Sequence, residues 1–552
     1  GINAGAALTS GAGTVVIGYQ AGDALTSSQG SVAIGYEALS SEDTGLGSVA
    51  IGYQAMKNNN GNAKNVSIGY QSSLNNGTGE KNVIIGYQAG LSTGGHSWTK
   101  NVGIGNEVLY KIQGGSENNV AIGSSAGFNS TTVTGNTLVG GEAGSAITTG
   151  DYNVAIGYQS LNSVTTTTGA IAIGYGASYS STLSTDVSIG YNALYSSAGF
   201  GQNVAIGYYA GQNVNDATYG GGVYIGYETA RYGNRNTGVY RGVAIGAYAG
   251  QNSPVATSVF VGSQSGRYAR SGSANVYIGY RSGYGGDTSS PYTSNSGYNN
   301  TAVGQNSLFG VTNQIDVVAV GYAAGNSGGG TKSVYMGEGA GYSNNSSGIY
   351  NTLVGRRAGY YTTSGTRQTH IGYNAGYYAT GSYNTFVGAQ AGVGGTTSAP
   401  YSSGESNVAM GYQALKVFTT GTKNNIIGYR AGYSTTTGFT NQYIGYQAGY
   451  YNTTGRSNIA IGYNSQFGAS GQTTGGYNVS LGENSLAALT TGNHNFVVGS
   501  NAGLSLTSGE HNVIIGSAAG DALTTTSNAI MIGRDAGTNI NSADANGTVL
   551  IG

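Results

Sequence analysis

A short apolar triplet recurs along this chain: Val, a small residue, then Ile, closed by Gly, as in Val32-Ala33-Ile34-Gly35 and Val154-Ala155-Ile156-Gly157. With that closing Gly as an anchor, units run from Gly1, Gly18 and Gly35 to Gly533 and Gly552, and 18 of the 31 intervals are 17 residues long. A helix pair or propeller blade needs units of roughly 33 residues or more, so this period suits a single solenoid coil. β-branched residues recur beside the anchor and the chain holds only 3 Pro, which favours strands over helices. The fold class expected is therefore all-β: a β-solenoid, or parallel β-roll, of about 31 coils with a modal 17-residue repeat, running as one tandem-repeat domain over residues 1–552.

The residue before the anchor is Ile, Val, Leu or Met in all 31 coils, and such uniformity predicts burial. Ile17, Ile34, Ile51, Ile68, Ile85, Ile156, Ile206, Ile461 and Ile515 are accordingly the expected core. Val two residues earlier shares their face by the period-2 alternation of a strand. The residue between, commonly Ala or Ser and in places Tyr224, Phe260, Tyr277 or Phe386, is never charged. A strand apolar on both faces is normally covered on both. A two-sided coil has one interior, so this second face is expected to meet a partner chain, giving a homo-oligomer and most simply a trimer.

The rest of the unit is polar and Thr-rich, ending in a Gly ten residues after the anchor, as in Asn452-Thr453-Thr454-Gly455. It reads as a solvent-facing second strand and a Gly turn of positive φ. Asn recurs three residues later, at Asn458, Asn495 and Asn512, where a stacked ladder of amides would seal the corner. Tyr directly after the anchor forms runs such as Tyr19, Tyr36, Tyr53, Tyr70 and Tyr87, an expected aromatic ladder. Two coils are enlarged, 279–304 and 388–411, and each carries a Ser-x-Pro-Tyr stretch. Their Pro291, Tyr292, Pro400 and Tyr401 are candidate surface contacts, because insertions in repeats map to loops on one face. The sequence opens and closes on anchors with no polar capping unit, so attachment and receptor-binding parts are expected outside it.

Composition narrows the function classes. With 102 Gly but only 3 Pro and 7% charged residues, the chain is neither collagen-like nor a charged disordered polymer. A formal net charge of -1 without a basic block gives no footprint for nucleic acid. No run of 18 apolar residues occurs, so no bilayer-spanning segment is expected. There is no Cys, and neither a nucleophile elbow, a phosphate-binding loop, a zincin motif nor a calcium nonapeptide is found. No catalytic, cofactor or metal residues are assigned, and the chain reads as a non-enzyme. Two same-phase constellations stand out. His494 and His511 fall twelve residues after successive anchors and should stack, and Glu338 and Arg356 follow theirs and should pair across coils.

The core Asn-Val-Ala-Ile-Gly-Tyr, as in Asn153 to Tyr158 and Asn203 to Tyr208, resembles the head repeats of trimeric autotransporter adhesins, the YadA-like left-handed parallel β-roll. The longer unit, with its Tyr-x-Ala-Gly and Thr-Thr-Gly, is similar to repeats of phage tail-fibre and bacterial surface-fibre proteins. The resemblance implies a homotrimeric fibre at an extracellular surface or on a virion, with a host surface glycan or receptor as a further partner. The alternative expectation is a carbohydrate-binding module displaying Tyr, Asn and Gln on one solenoid face.

Overall fold

The computed structural model describes residues 1–552 apart from 45, 62–63, 95, 182–184, 200, 217–219, 233–241, 254–256, 270–271, 286–296, 311–312, 328, 345–346, 400, 470–472 and 541–544. Two compact units divide the chain, Gly1–Ser273 and Ala274–Gly552, and both are built the same way. The first stacks fifteen three-residue strands, from Val15–Ile17 to Val259–Val261, and the second sixteen, from Val276–Ile278 to Val549–Ile551. Pairing is parallel and residue for residue: Val154 lies opposite Ile171, Ala155 opposite Ala172, and Ile156 opposite Ile173. The chain is thus an all-β parallel solenoid with about 17 residues per coil and no helix among the described residues.

Only one wall of the coil is a regular strand in coil after coil; the other pairs as strand between Ala198–Gly199 and Asn215–Asp216 and elsewhere, among the described residues, only as isolated parallel bridges such as Asn452 with Thr473. After the anchor the backbone turns through left-handed residues, such as Gln159 at φ 56 and Leu161 at φ 49, and it does so again at Tyr152 (φ 57) before the next strand begins. The Thr-rich stretch is therefore, in most coils, not the second strand expected. It is a run of bends joined coil to coil, with Thr490 N–H and Oγ1–H both donating to the Thr507 carbonyl and Thr507 doing the same to Thr524. Its Gly is also not a positive-φ turn. A Cβ on Gly438 would lie 2.6 Å from the carbonyl oxygen of Gly455 in the next coil, so close approach of backbones selects Gly there. The anchor combines both demands: Gly411 has φ 129, and a Cβ on it would meet the Gly428 carbonyl oxygen at 2.5 Å.

The largest correction concerns the parity of the strand. The residue in the middle of each triplet points into the coil, and the Val and Ile flanking it point out. Ala33, Ala155, Tyr224, Phe260 and Phe386 are buried, whereas Ile17, Ile156 and Ile461 are exposed. The other Ile residues expected in the core, Ile34, Ile51, Ile68, Ile85, Ile206 and Ile515, are half-exposed in the same outward column. The reason is that Asn at the strand's entry also points inward, where its amide closes the corner. Alternation then places the middle residue on that side. The face expected to meet a partner is the coil interior, and the expected core is the outer wall.

The interior holds two facing positions, the middle strand residue and the fourth residue after the anchor, whose sizes compensate. Small strand residues face large ones: Ala33 with Leu39, Ala155 with Leu161, Ala409 with Leu415. Large strand residues face Gly: Phe260 with Gly266, Phe386 with Gly392, Tyr443 with Gly449. A Cβ on Gly266 would lie 2.8 Å from the Phe260 ring. Where both are small, neighbouring coils fill the space, as Leu109 and Leu138 do around Gly127. His370 is one such large rung, with Gly376 opposite. It stacks on Phe386 at 4.9 Å, and burial pushes its imidazole down to about 3, so it packs as a neutral ring.

This shared space predicts strong coupling. Phe386→Ala should cost about 3–5 kcal/mol, and Gly392→Leu should overpack the same coil. The double variant, which copies the Ala409/Leu415 arrangement of the next coil, should recover most of the loss. Denaturant unfolding of the four proteins measures it, and additive effects would show that the two positions do not share a cavity.

Candidate functional surface

Because identical phases stack one coil apart, each coil position becomes a column, and the columns define three surfaces. The first is the outward wall. Ile156, Ile461 and Met410 are about 40% exposed, with Val154, Ile459 and Val408 beside them, and no charged residue occupies either outward column.

The second surface is the aromatic edge. Tyr19, Tyr36, Tyr53, Tyr70 and Tyr87 stack at 5.0–5.3 Å between ring centroids, with interplanar angles of 8–11°. The runs Tyr175–Tyr191–Tyr208–Tyr227 and Tyr429–Tyr446–Tyr463 do the same. Ring faces turn towards one another, so solvent meets edges and hydroxyls, and each ring remains about 40% exposed. Beside them Gln88 Nε2 donates to Gln71 Oε1 at 2.9 Å and Gln71 to Gln54 at 3.0 Å, a side-chain ladder of the same pitch.

The third is internal: the Asn corner. Asn495 donates both its backbone N–H and its Nδ2 to Asn478 Oδ1 at 3.0 Å, and Nδ2 donates again to the Gly509 carbonyl at 2.9 Å. Asn512 repeats this pattern on Asn495. The ladder has a polarity, since each Oδ1 accepts from the coil that follows. It ends where the next residue has no amide: Ala170 and Ala529 offer only a backbone N–H to Asn153 and Asn512. A new ladder starts at Asp186, whose Oδ1 accepts from Asn203 N–H at 2.8 Å. Burial pushes the Asp186 carboxyl up to about 6, against the opposing pull of the Asn203 hydrogen bonds and a weak one from Ser181.

The same-phase constellations lie where stacking puts them. His494 and His511 stack at 5.0 Å, with Tyr477 on the far side of His494 at 4.9 Å. No cluster of three metal-ligating side chains occurs among the described residues. Arg356 Nε donates to Glu338 Oε2 at 2.9 Å, and Arg357 adds a longer contact at 3.9 Å. The Arg356 hydrogen bond holds the Glu338 carboxyl below its ordinary range. The pair is half-exposed, where screening leaves little stabilisation.

Pro291, Tyr292 and Pro400 fall outside the described residues. Tyr401 is described and half-buried, and its ring lies against Tyr361 (5.0 Å) and Tyr378 (5.6 Å), so it extends an aromatic cluster of the preceding coils. A feature that reading by phase missed is Arg231. Its guanidinium sits 3.9 Å over the Tyr209 ring, with Nη1 at 2.7 Å from Glu228 and Nε donating to Gln212 at 2.8 Å. Arg267 repeats the arrangement over Tyr248 at 4.5 Å. In the sequence Arg231 and Arg267 share a phase, five residues after their anchors, and alternate there with Gln212 and Gln251, but phase alone does not give the contact with Tyr209.

No helix is long and apolar enough to cross a membrane among the described residues. No family model matches the chain, and no curated protein is significantly similar to it.

Asp186 yields a pH prediction. Its folded pKa lies above its unfolded value, so the stability it confers is fully present below about pH 4 and is lost as pH rises through about 6. Asp186→Asn restores the ladder residue and removes the ionisation. Thermal unfolding should show it stabilising by about 3 kcal/mol at pH 8 and nearly neutral at pH 4. An equal effect at both pH values would mean that the carboxyl is not desolvated.

Proposed function

We propose that this chain is the shaft of an extracellular or virion fibre, a homo-oligomer and most simply a trimer, that holds a tip away from a surface and catalyses no reaction. The observation that carries the reading is the outward Val and Ile wall. Contiguous exposed apolar surface beyond a few hundred Å² marks an interface, and here it recurs on every coil of both units. An interior packed with side chains and edges formed of self-stacking residues also suit a spacer, whose product is length. The resemblance to tail-fibre and adhesin-head repeats agrees with this reading, and a surface glycan or receptor fits as the partner of the tip.

The carbohydrate-module reading is weaker. Sugars stack on ring faces, and in these ladders the faces are covered by neighbouring Tyr residues.

Removing two whole coils tests the shaft. Deletion of residues 428–461 or, separately, of residues 140–173 should shorten the particle by about 10 Å in electron micrographs, and both should leave oligomeric mass and tip-dependent attachment intact. Loss of attachment with one deletion but not the other would instead indicate a localised binding surface.

A further inference from the structure

The outward wall is nearly identical at every step, which creates a problem for any two copies packed through it. A slip by one coil costs only the terminal rung's contacts, so apolar burial alone does not fix the axial register. Something must interrupt the pattern. In the second unit Asn425 and Gln442 do so. They occupy the outward column in adjacent strands, paired in register, between Val408 and Ile459. Asn425 is half-exposed and Gln442 exposed, and neither side-chain amide has a hydrogen-bond partner within the chain among the described residues. Thr352, Thr369 and Thr385 also lie in this column, but a Thr hydroxyl can satisfy itself on its own backbone, so it tolerates an apolar neighbour.

We propose that Asn425 and Gln442 fix the axial register in which parallel copies of this chain pack through the Val and Ile wall. The proposal rests on the homo-oligomeric reading above. A second copy is the partner their chemistry fits. A primary amide is both donor and acceptor, so around a rotation axis each Asn425 donates to the next copy's Asn425 and accepts from the previous one, for any number of copies. Carboxylates or ammonium groups at the same place would repel. A parallel, in-register arrangement satisfies both amides at once. Among parallel arrangements, a one-coil slip leaves one copy's Gln442 against Ile459 and the other's Asn425 against Val408, and a two-coil slip leaves one copy's Asn425 and Gln442 against Ile459 and Val479. Burying an unsatisfied amide is unfavourable by enough to favour the matched register about tenfold or more. Buried Asn residues in coiled coils select register on the same principle.

The absence of Cys makes the test direct. Ile461→Cys and Ile427→Cys, two coils apart on the outward wall of the same unit, are introduced singly and co-expressed with tags of different size. After mild oxidation the parent background should give disulfides joining like positions (461 to 461, 427 to 427). Mixed 461-to-427 disulfides should be about tenfold rarer. In the Asn425→Val/Gln442→Val background the mixed species should rise to a yield comparable with the like-position ones at unchanged oligomeric mass. The exchange Asn425→Gln/Gln442→Asn should keep the parent pattern. If the Val variant retains strict register, or the parent forms oligomers without like-position disulfides, the register role is overturned while the shaft stands. A monomeric parent that forms no disulfide overturns both.

Discussion

Parallel backbone hydrogen bonds between successive coils hold each residue roughly one strand spacing, about 4.8 Å, from its counterpart above and below. Most other features follow from that spacing. A residue type can persist in a column only if it tolerates its own copy at that distance. Tyr rings stack, Asn and Gln amides donate and accept in chains, and Thr hydroxyls reach the next coil's carbonyl. Lys, Arg, Asp and Glu repel their own kind, and the chain holds them at 7%. Where charges do occur, opposite signs tend to adjoin, as at Glu338 and Arg356. The anchor glycines belong to the same account, because coils at this pitch leave no room for a Cβ where carbonyls cross, as between Gly411 and Gly428.

Inside the coil the constraint is volume, and it is solved locally. Phe386 over Gly392 and Ala409 over Leu415 are two fillings of one cavity in consecutive coils. The same backbone accepts both because Leu415 adopts φ 51 and Gly392 φ 54, so the conformational cost of a left-handed Leu recurs in many coils and is offset by burial. Stability is therefore a property of each coil with its nearest neighbours, as expected of a quasi-one-dimensional fold. His370 shows how far the interior tolerates variation: an imidazole is accepted there in neutral form, stacked on a ring.

Period, strand class and column membership were legible in the sequence, because all three depend only on spacing. Which side of the strand faces in was not. The column before the anchor is uniformly apolar and so reads as core, while the true interior column runs from Gly103 to Tyr224 and looks variable. That variability is compensated by the residue six positions later, and reading the two together would have identified the cavity. The second clue was the Asn at strand entry. A buried amide on the side of the middle residue is incompatible with an inward Ile one step away. The His494–His511 stack and the Glu338–Arg356 pair were readable for the same reason as the ladders, since both lie in single columns. Tyr401 and Arg231 were not, because their contacts reach between columns.

The two outer walls of a single coil differ in how they meet their surroundings. On the Thr wall one hydroxyl in many coils, as at Thr419, Thr436, Thr490 and Thr507, donates to the next coil's carbonyl, and that wall carries the chain's loosest sequence, as a solvated surface can. The Val and Ile wall has no such ladder to maintain, yet it excludes charge from every coil and keeps a branched or long apolar side chain before every anchor. Strand propensity explains β-branched residues there, but not the absence of Lys, Arg and Glu, which exposed strands ordinarily use to avoid unwanted association. A wall so consistently apolar, beside a Thr wall whose sequence is far looser, has the composition that the homo-oligomeric reading proposed above requires.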